Sequence, residues 1–181
     1  MPPGAAMKIV MNDQVQLSEF RRSDKPALIE HLNDQDIYDR TLRIPFPYTE
    51  ADADGWLGHV AGVTTQQGRP VQWAIRGADD AVIGGCGFDG FRVGKSHRAE
   101  VGYWLAKPYW GRGIMTAVVQ QVCRIAFEEL GLVKVTAHVF VHNPASARVL
   151  QKCGFQEEGF LRKHFLKDGR FIDARLFALL R

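Results

Sequence analysis

Two glycines flank an arginine at Gly111-Arg112-Gly113, immediately ahead of Ile114-Met115-Thr116, where a long helical pattern opens. Glycine lets a backbone come close to a bulky anion. The first turn of a helix leaves its N–H groups unpaired and carries a partial positive charge, so donors from Gly111 to Thr116 are expected to hold a pyrophosphate, with Arg112 adding charge. A tight strand-to-helix turn that binds nothing has the same spacing, and spacing alone does not separate the two.

Two other nucleotide-binding patterns fail. Gly85-Cys86-Gly87-Phe88-Asp89-Gly90 has the G-x-G-x-x-G spacing, but Phe91 to Ser96 contain no amphipathic helix for a pyrophosphate to cap. Gly94-Lys95-Ser96 resembles the end of a P-loop, yet its required first glycine falls at Asp89, where a carboxylate would meet phosphate oxygens. His138 and His142 lack a carboxylate or cysteine companion at ligand spacing, so no metal is expected. Cys86, Cys123 and Cys153 are odd in number and show no C-x-x-C spacing, which argues against a disulfide framework or zinc finger and points to a reducing cytoplasmic compartment. Cys123 and Cys153 read as small buried hydrophobes.

The elements that must position these residues follow from period and punctuation. Val15, Leu17 and Phe20 begin a strand-like stretch, and Ser23 and Asp24 offer an N-cap to a short helix that ends in the polar run Asn33 to Asp36. Thr41 to Tyr48, with Pro45 and Pro47 around Phe46, is an extended loop, after which Thr49 and Asp52 cap a second helix. Val71 to Arg76, Ala81 to Phe88 and Arg98 to Leu105 read as strands, and Ile114 to Leu130 as a helix broken by Gly131. Leu132 to Val141 is again a strand. Asn143-Pro144 supplies an N-cap and a first-turn proline for a last short helix ending at Gly154. Phe155 to Leu166 and Arg170 to Leu180 form a hairpin turning at Asp168-Gly169. The fold class is mixed α/β (α+β): a mostly antiparallel twisted sheet of about seven strands with about four helices and one central strand–helix–strand crossover.

Composition narrows the function classes. With 181 residues, 46% hydrophobic and 24% charged, one domain over residues 8–181 is expected behind a flexible leader at 1–7. No window approaches the ~18 consecutive apolar residues of a membrane span. The 23 basic residues interleave with 20 acidic ones for a net charge of +3, so nucleic acid is not expected as a direct ligand.

Gly111-x-Gly113 followed some thirty residues later by Asn143-x-x-Ser146 and Gly154-Phe155 resembles the acyl-CoA core of the GNAT superfamily of N-acyltransferases. Pro45-Phe46-Pro47-Tyr48-Thr49 and Glu100-Val101-Gly102-Tyr103-Trp104-Leu105 are similar to the branch of ribosomal-protein N-terminal acetyltransferases, the Rim-type enzymes; the likeness runs from about Val15 to Leu180. The resemblance implies acetyl-CoA as cosubstrate. It implies that Val101 to Leu105 splay from Val133 to Val139, with the pantetheine arm in the gap, its amides on backbone near Trp104 and Leu105, and its diphosphate on the Trp110 to Thr116 turn. Asn143 and Ser146 would touch the arm from the opposite side. Two departures stand out: Pro108 occupies the position of a usual Gln or Arg, leaving Arg112 or Lys107 to compensate, and Leu150 occupies that of the tyrosine that protonates the leaving thiolate, leaving Ser146 as the nearest substitute.

Acyl transfer to nitrogen needs a neutral amine, whereas α-amines hold their proton up to about pH 8 and lysines to about 10.4, so a base is required. Glu100 is the expected base: strand alternation puts it on the face of Gly102 and Trp104, and the missing side chain at Gly102 leaves room beside it. Glu158 is the reserve. A main-chain N–H near Leu105 would polarise the carbonyl. Trp73, Trp104, Trp110, Phe46 and Tyr48 read as either core or pocket wall. The expected acceptor is a protein or peptide α-amine; a small amine such as a polyamine or amino acid, or a non-catalytic acyl-CoA binding module, are the alternatives, and the sequence leaves monomer and homodimer open.

Overall fold

The structure, a computed structural model, describes residues Lys8 to Arg181; the expected leader at 1–7 lies outside the described residues. The strands are β1 (Lys8–Val10), β2 (Gln16–Ser18), β3 (Gln72–Arg76), β4 (Val82–Asp89), β5 (Arg98–Leu105), β6 (Lys134–Phe140), β7 (Gln156–Lys167) and β8 (Arg170–Leu180). The helices are α1 (Lys25–Leu32), α2 (Gln35–Arg40), α3 (Glu50–Gln67), α4 (Ile114–Glu128) and α5 (Pro144–Lys152). The sheet order is β1-β2-β3-β4-β5-β6-β8-β7, antiparallel throughout except for β5 and β6, which α4 joins as a parallel pair.

Two elements exceed the sequence expectation. α1 ends at Leu32, at the polar run as expected, but within that run Asp34 accepts a hydrogen bond from the Ile37 N–H at 3.1 Å and caps a further helix, α2, whose Ile37 is buried. β1 is three residues long, too short for alternation to reveal, and is held by pairing with β2. Elsewhere local signals hold: Thr49 and Asp52 form a reciprocal capping box on α3, and Asp168 and Gly169 both take positive φ (50° and 73°) at the β7–β8 turn.

Helices cover both faces. α4 and α5 pack on one, where Val118, Val119, Val122 and Ile125 meet Trp73, Ile75, Val101, Val135 and Phe177. α1, α2 and α3 pack on the other, where Leu28, Leu32, Ile37 and Tyr48 meet Ala74 and Val82, with Trp104 against them. Full burial of each such side chain contributes about 1.5–3 kcal/mol.

Asp24 stands at the start of α1 but its carboxylate does not cap it. It takes the Arg76 guanidinium at 2.8 and 2.9 Å, while Arg76 also donates to Ser18 Oγ (2.5 Å), Glu19 O and Asp80 O (both 3.0 Å). Arg76 is 1% exposed, so satisfying its five donors is what makes its burial tolerable. The pair ties β2 and the turn before α1 to the β3–β4 turn.

Candidate active site

The sheet opens in its middle. β5 and β6 pair at Arg98–Lys134, Ala99–Val135 and Glu100–Thr136, and no further, although β5 continues to Leu105 and β6 to Phe140. On its other side β5 stays bonded to β4 from Glu100 opposite Asp89 to Leu105 opposite Gly84, and the Ala106 N–H continues that ladder to Ile83 O at 2.8 Å. Backbone groups in a strand alternate sides, so those of Gly102 and Trp104 are spent on β4, while those of Val101, Tyr103 and Leu105 face the gap toward β6. Trp104 is therefore misplaced as a source of free amides; Tyr103 and Leu105 carry them. The Leu105 carbonyl is taken by Trp110 Nε1 at 2.7 Å, which leaves the Leu105 N–H as the donor nearest the mouth of α4.

At that mouth Gly111 and Gly113 have φ of +74° and +75°, the left-handed region that glycine enters without strain. Gly113 is the N-cap of α4 and supplies no side-chain acceptor, and among the described residues the N–H groups of Ile114, Met115 and Thr116 find none. A Cβ built on either glycine would meet nothing within 4 Å, so the donors face open space. Arg112 lies over the Tyr109 ring at 5.5 Å and, with Tyr109, Gly113 and Ile114, borders a cavity of about 560 Å³. The side chain of Met115 is buried in the core, so its contribution here is its N–H.

Trp110 is spoken for twice, by the Leu105 carbonyl and by the Arg40 guanidinium 5.3 Å from its ring, and so braces the turn against β5 and α2. Lys107 does not replace the side chain missing at Pro108: it is ion-paired with Asp36, with Asp34 at 4.0 Å, and points to α2. Among the described residues lining the mouth, Arg112 is the cation left.

Across the gap, Asn143 caps α5 by accepting the Ser146 N–H at 3.2 Å. Ser146 Oγ lies 2.8 Å from the Tyr103 hydroxyl. Burial pushes the Tyr103 phenol well above its ordinary range, so it stays protonated and able to donate. Leu150 is fully buried in the core and supplies no acid. Sequence reasoning passed over Tyr103; its signal was alternation, which places it with Val101 and Leu105 on the face covered by α4 and α5.

On the opposite face Glu100 is partly exposed, and a Cβ at Gly102 beside it would touch nothing within 4 Å. Glu100 Oε1 lies 2.8 Å from His138 Nδ1. Spacing to His142 hid this contact, because His138 meets its partner across the sheet; His142 instead sits 2.8 Å from the Asp39 carbonyl. Glu158 pairs with Lys134 Nζ at 2.6 Å, at the end of β6 where β5 and β6 are still joined. At ~3.3 Å per residue that lies roughly 13 Å along β6 from His138, away from the opening.

Other candidates resolve into structure. Gly85-Cys86-Gly87 belongs to β4, and the Ser96 Oγ accepts from the Arg92 N–H in a turn. Burial raises the Cys123 and Cys153 thiols to about 12 and about 11 and pushes Cys86 well above its ordinary value too, the opposite of an activated nucleophile. Trp73 is core, Tyr48 is buried under α1, and Phe46 is 43% exposed on the loop. Among the described residues no group of three or more His, Cys, Asp or Glu is placed to hold a metal, and no helix is long and apolar enough to cross a membrane.

Comparison with known proteins gives a family and a fold. Residues 14–156 match the family profile described as an acetyltransferase (GNAT) domain. The chain is 35% identical over 117 residues to the uncharacterized N-acetyltransferase YoaA of Bacillus subtilis, covering 64% of this chain and 66% of that one. It is 28% identical over 176 residues to the uncharacterized N-acetyltransferase p20 of Bacillus licheniformis, covering 97% of each. A solved structure of RimL, a ribosomal-protein alpha-N-acetyltransferase in complex with coenzyme A, superposes with a TM-score of 0.85 at 18% identity over 96% of this chain and 98% of that one.

Proposed function

The chain belongs to the GNAT acetyltransferase family, and from that premise we propose that it transfers an acetyl group from acetyl-CoA directly to a primary amine, a protein or peptide α-amine first and a small amine second. The observation that carries this is the coincidence of the β5–β6 opening with the uncapped start of α4, since a long thioester with an anionic end needs both a slot and an anion site in line.

In this mechanism the diphosphate sits on the N–H groups of Gly111 to Thr116 with Arg112 beside it, and the arm runs along the free edge of Tyr103 and Leu105, opposite Asn143 and Ser146. Glu100 takes a proton from the ammonium. The freed amine nitrogen attacks the thioester carbon, whose oxygen is polarised by the Leu105 N–H. As the C–S bond breaks, the sulfur takes a proton from Ser146 Oγ, which is resupplied by the Tyr103 hydroxyl 2.8 Å away, and the second proton that the attacking nitrogen sheds in becoming an amide returns through solvent to the phenol. The three cysteines are free thiols, which supports a reducing, cytoplasmic setting.

The test is CoA thiol release against a panel of N-terminal peptides, amino acids and polyamines. Saturable release with one class is expected. Tight CoA binding with no release from any amine would replace the enzyme by an acyl-CoA binding module, and failure to bind CoA would overturn both.

A further inference from the structure

His138 is held in place from several sides. His164 stacks on its ring at a centroid distance of 4.9 Å and an interplanar angle of 15°, Phe165 meets it edge-on at 5.8 Å, and Glu100 Oε1 lies 2.8 Å from Nδ1. Its side chain remains 20% exposed, and among the described residues Nε2 meets no protein hydrogen-bond partner. A ring so fixed, with one nitrogen on a carboxylate and the other toward solvent, is arranged to pass a proton.

We propose that Glu100 and His138 remove the acceptor's proton as a dyad, with Glu100 as the catalytic base and His138 as the positioning residue that orients it and carries the proton onward. The proposal rests on the acyl-transfer function above. The proton leaves the ammonium for the Glu100 carboxylate and crosses to His138 Nδ1, which in the Nε2–H tautomer of the neutral ring carries a lone pair. The resulting imidazolium loses its Nε2 proton to solvent water, which restores the starting charges, and solvent exchange between the two neutral tautomers frees Nδ1 again for the next turnover. The chemistry favours two groups over one: an unassisted carboxylate is mismatched with an α-ammonium by about 4 pKa units, an ordinary imidazole by under about 2. A carboxylate beside the ring stabilises the imidazolium that forms.

The surrounding groups leave the pair free to act. Asp89, opposite Glu100 on β4, is engaged by Arg43 and by Gln72 Nε2 at 3.3 Å. Lys134, on the same face of β6, is engaged by Glu158, and β8 presents uncharged Leu176 opposite His138. His164 on β7 touches the ring through its face, and Arg98, two residues before Glu100 on the same face of β5, adds a positive charge on the side away from the opening.

His138→Asn tests this, because asparagine keeps a hydrogen-bonding amide near the place of Nδ1 but has no ring to carry a proton onward. With acetyl-CoA and amine saturating, kcat is expected to fall on the order of a hundredfold, its acid limb to move to lower pH, and KM for acetyl-CoA to stay unchanged. Added imidazole is expected to restore part of the kcat lost in His138→Ala, which a merely structural side chain would not allow. If His138→Asn keeps both kcat and the acid limb while Glu100→Gln loses turnover, Glu100 acts alone and the dyad is overturned with the transferase intact. If the unaltered protein transfers to no amine, the transferase and the dyad fall together.

Discussion

Glu100 and Thr136 are the last register pair between β5 and β6, so the Glu100 carboxylate sits where the sheet parts. One step further along β5, backbone groups that would have bonded to β6 are released for a ligand, while the Glu100 side chain turns away from α4 toward His138. The proposed base and the proposed slot therefore share one structural origin, the end of β5–β6 pairing.

Glu100→Gln keeps the size and one acceptor of the side chain but removes its basicity. Turnover is expected to drop by about a hundredfold or more with acetyl-CoA affinity nearly intact, measured by steady-state kinetics and calorimetry. An unchanged pH–rate profile would remove Glu100 from the role.

Tyr103→Phe deletes the hydroxyl that meets Ser146 and little else, since the ring keeps its packing. Loss of one hydrogen bond of about 1–1.5 kcal/mol in the transition state corresponds to a roughly tenfold lower kcat. CoA affinity is expected to hold. Equal kcat values for Tyr103→Phe and the unaltered protein would show that the sulfur takes its proton without this pair.

Gly113→Ala places a Cβ on a residue at φ +75°. No atom obstructs it, so the cost is conformational, about 1–2 kcal/mol, together with relaxation of the turn that aims the N–H donors. CoA binding is expected to weaken about tenfold or more, which in free energy is about 1.4 kcal/mol, with the circular dichroism of the fold unchanged. Unaltered CoA affinity would place the diphosphate elsewhere.

Stability is expected to fall on the alkaline side. Burial raises Cys153 to about 11 and Cys123 and Tyr48 to about 12, from ordinary values of 9.0 and 10.0, and moves Tyr103 and Cys86 upward as well. Between the ordinary and the raised values the folded chain holds protons that the unfolded chain has released. Folding is therefore favoured least as pH climbs, and the loss begins near pH 9.0, where unfolded thiols ionise. Thermal melting between pH 7 and 11 would check this; a Tm that stays flat above pH 9 would contradict it.

Much of the molecule was legible in the chain because its signals are local. Gly111-x-Gly113 before Ile114, the Thr49–Asp52 box, Asn143-Pro144 and Asp168-Gly169 each act within a few residues, and each stands in the structure as the dihedral or cap that the residue types favour. The alternation of Glu100, Gly102 and Trp104 likewise needed only the period of a strand.

What spacing could not reveal lies between elements far apart in the chain. His138 and Glu100 are 38 residues apart and meet because β5 and β6 run side by side; Tyr103 and Ser146 are 43 apart and meet because α5 packs over the gap. Lys107 was free to face an anion until α2 placed Asp36 against it, and Trp104 was free to offer its amides until β4 took them. Caps, turns and strand period are written in adjacent residues because a backbone satisfies its own hydrogen bonds locally. Which side chains share a proton, and which backbone groups are left over, depends on how the sheet closes, and only the packed chain decides that.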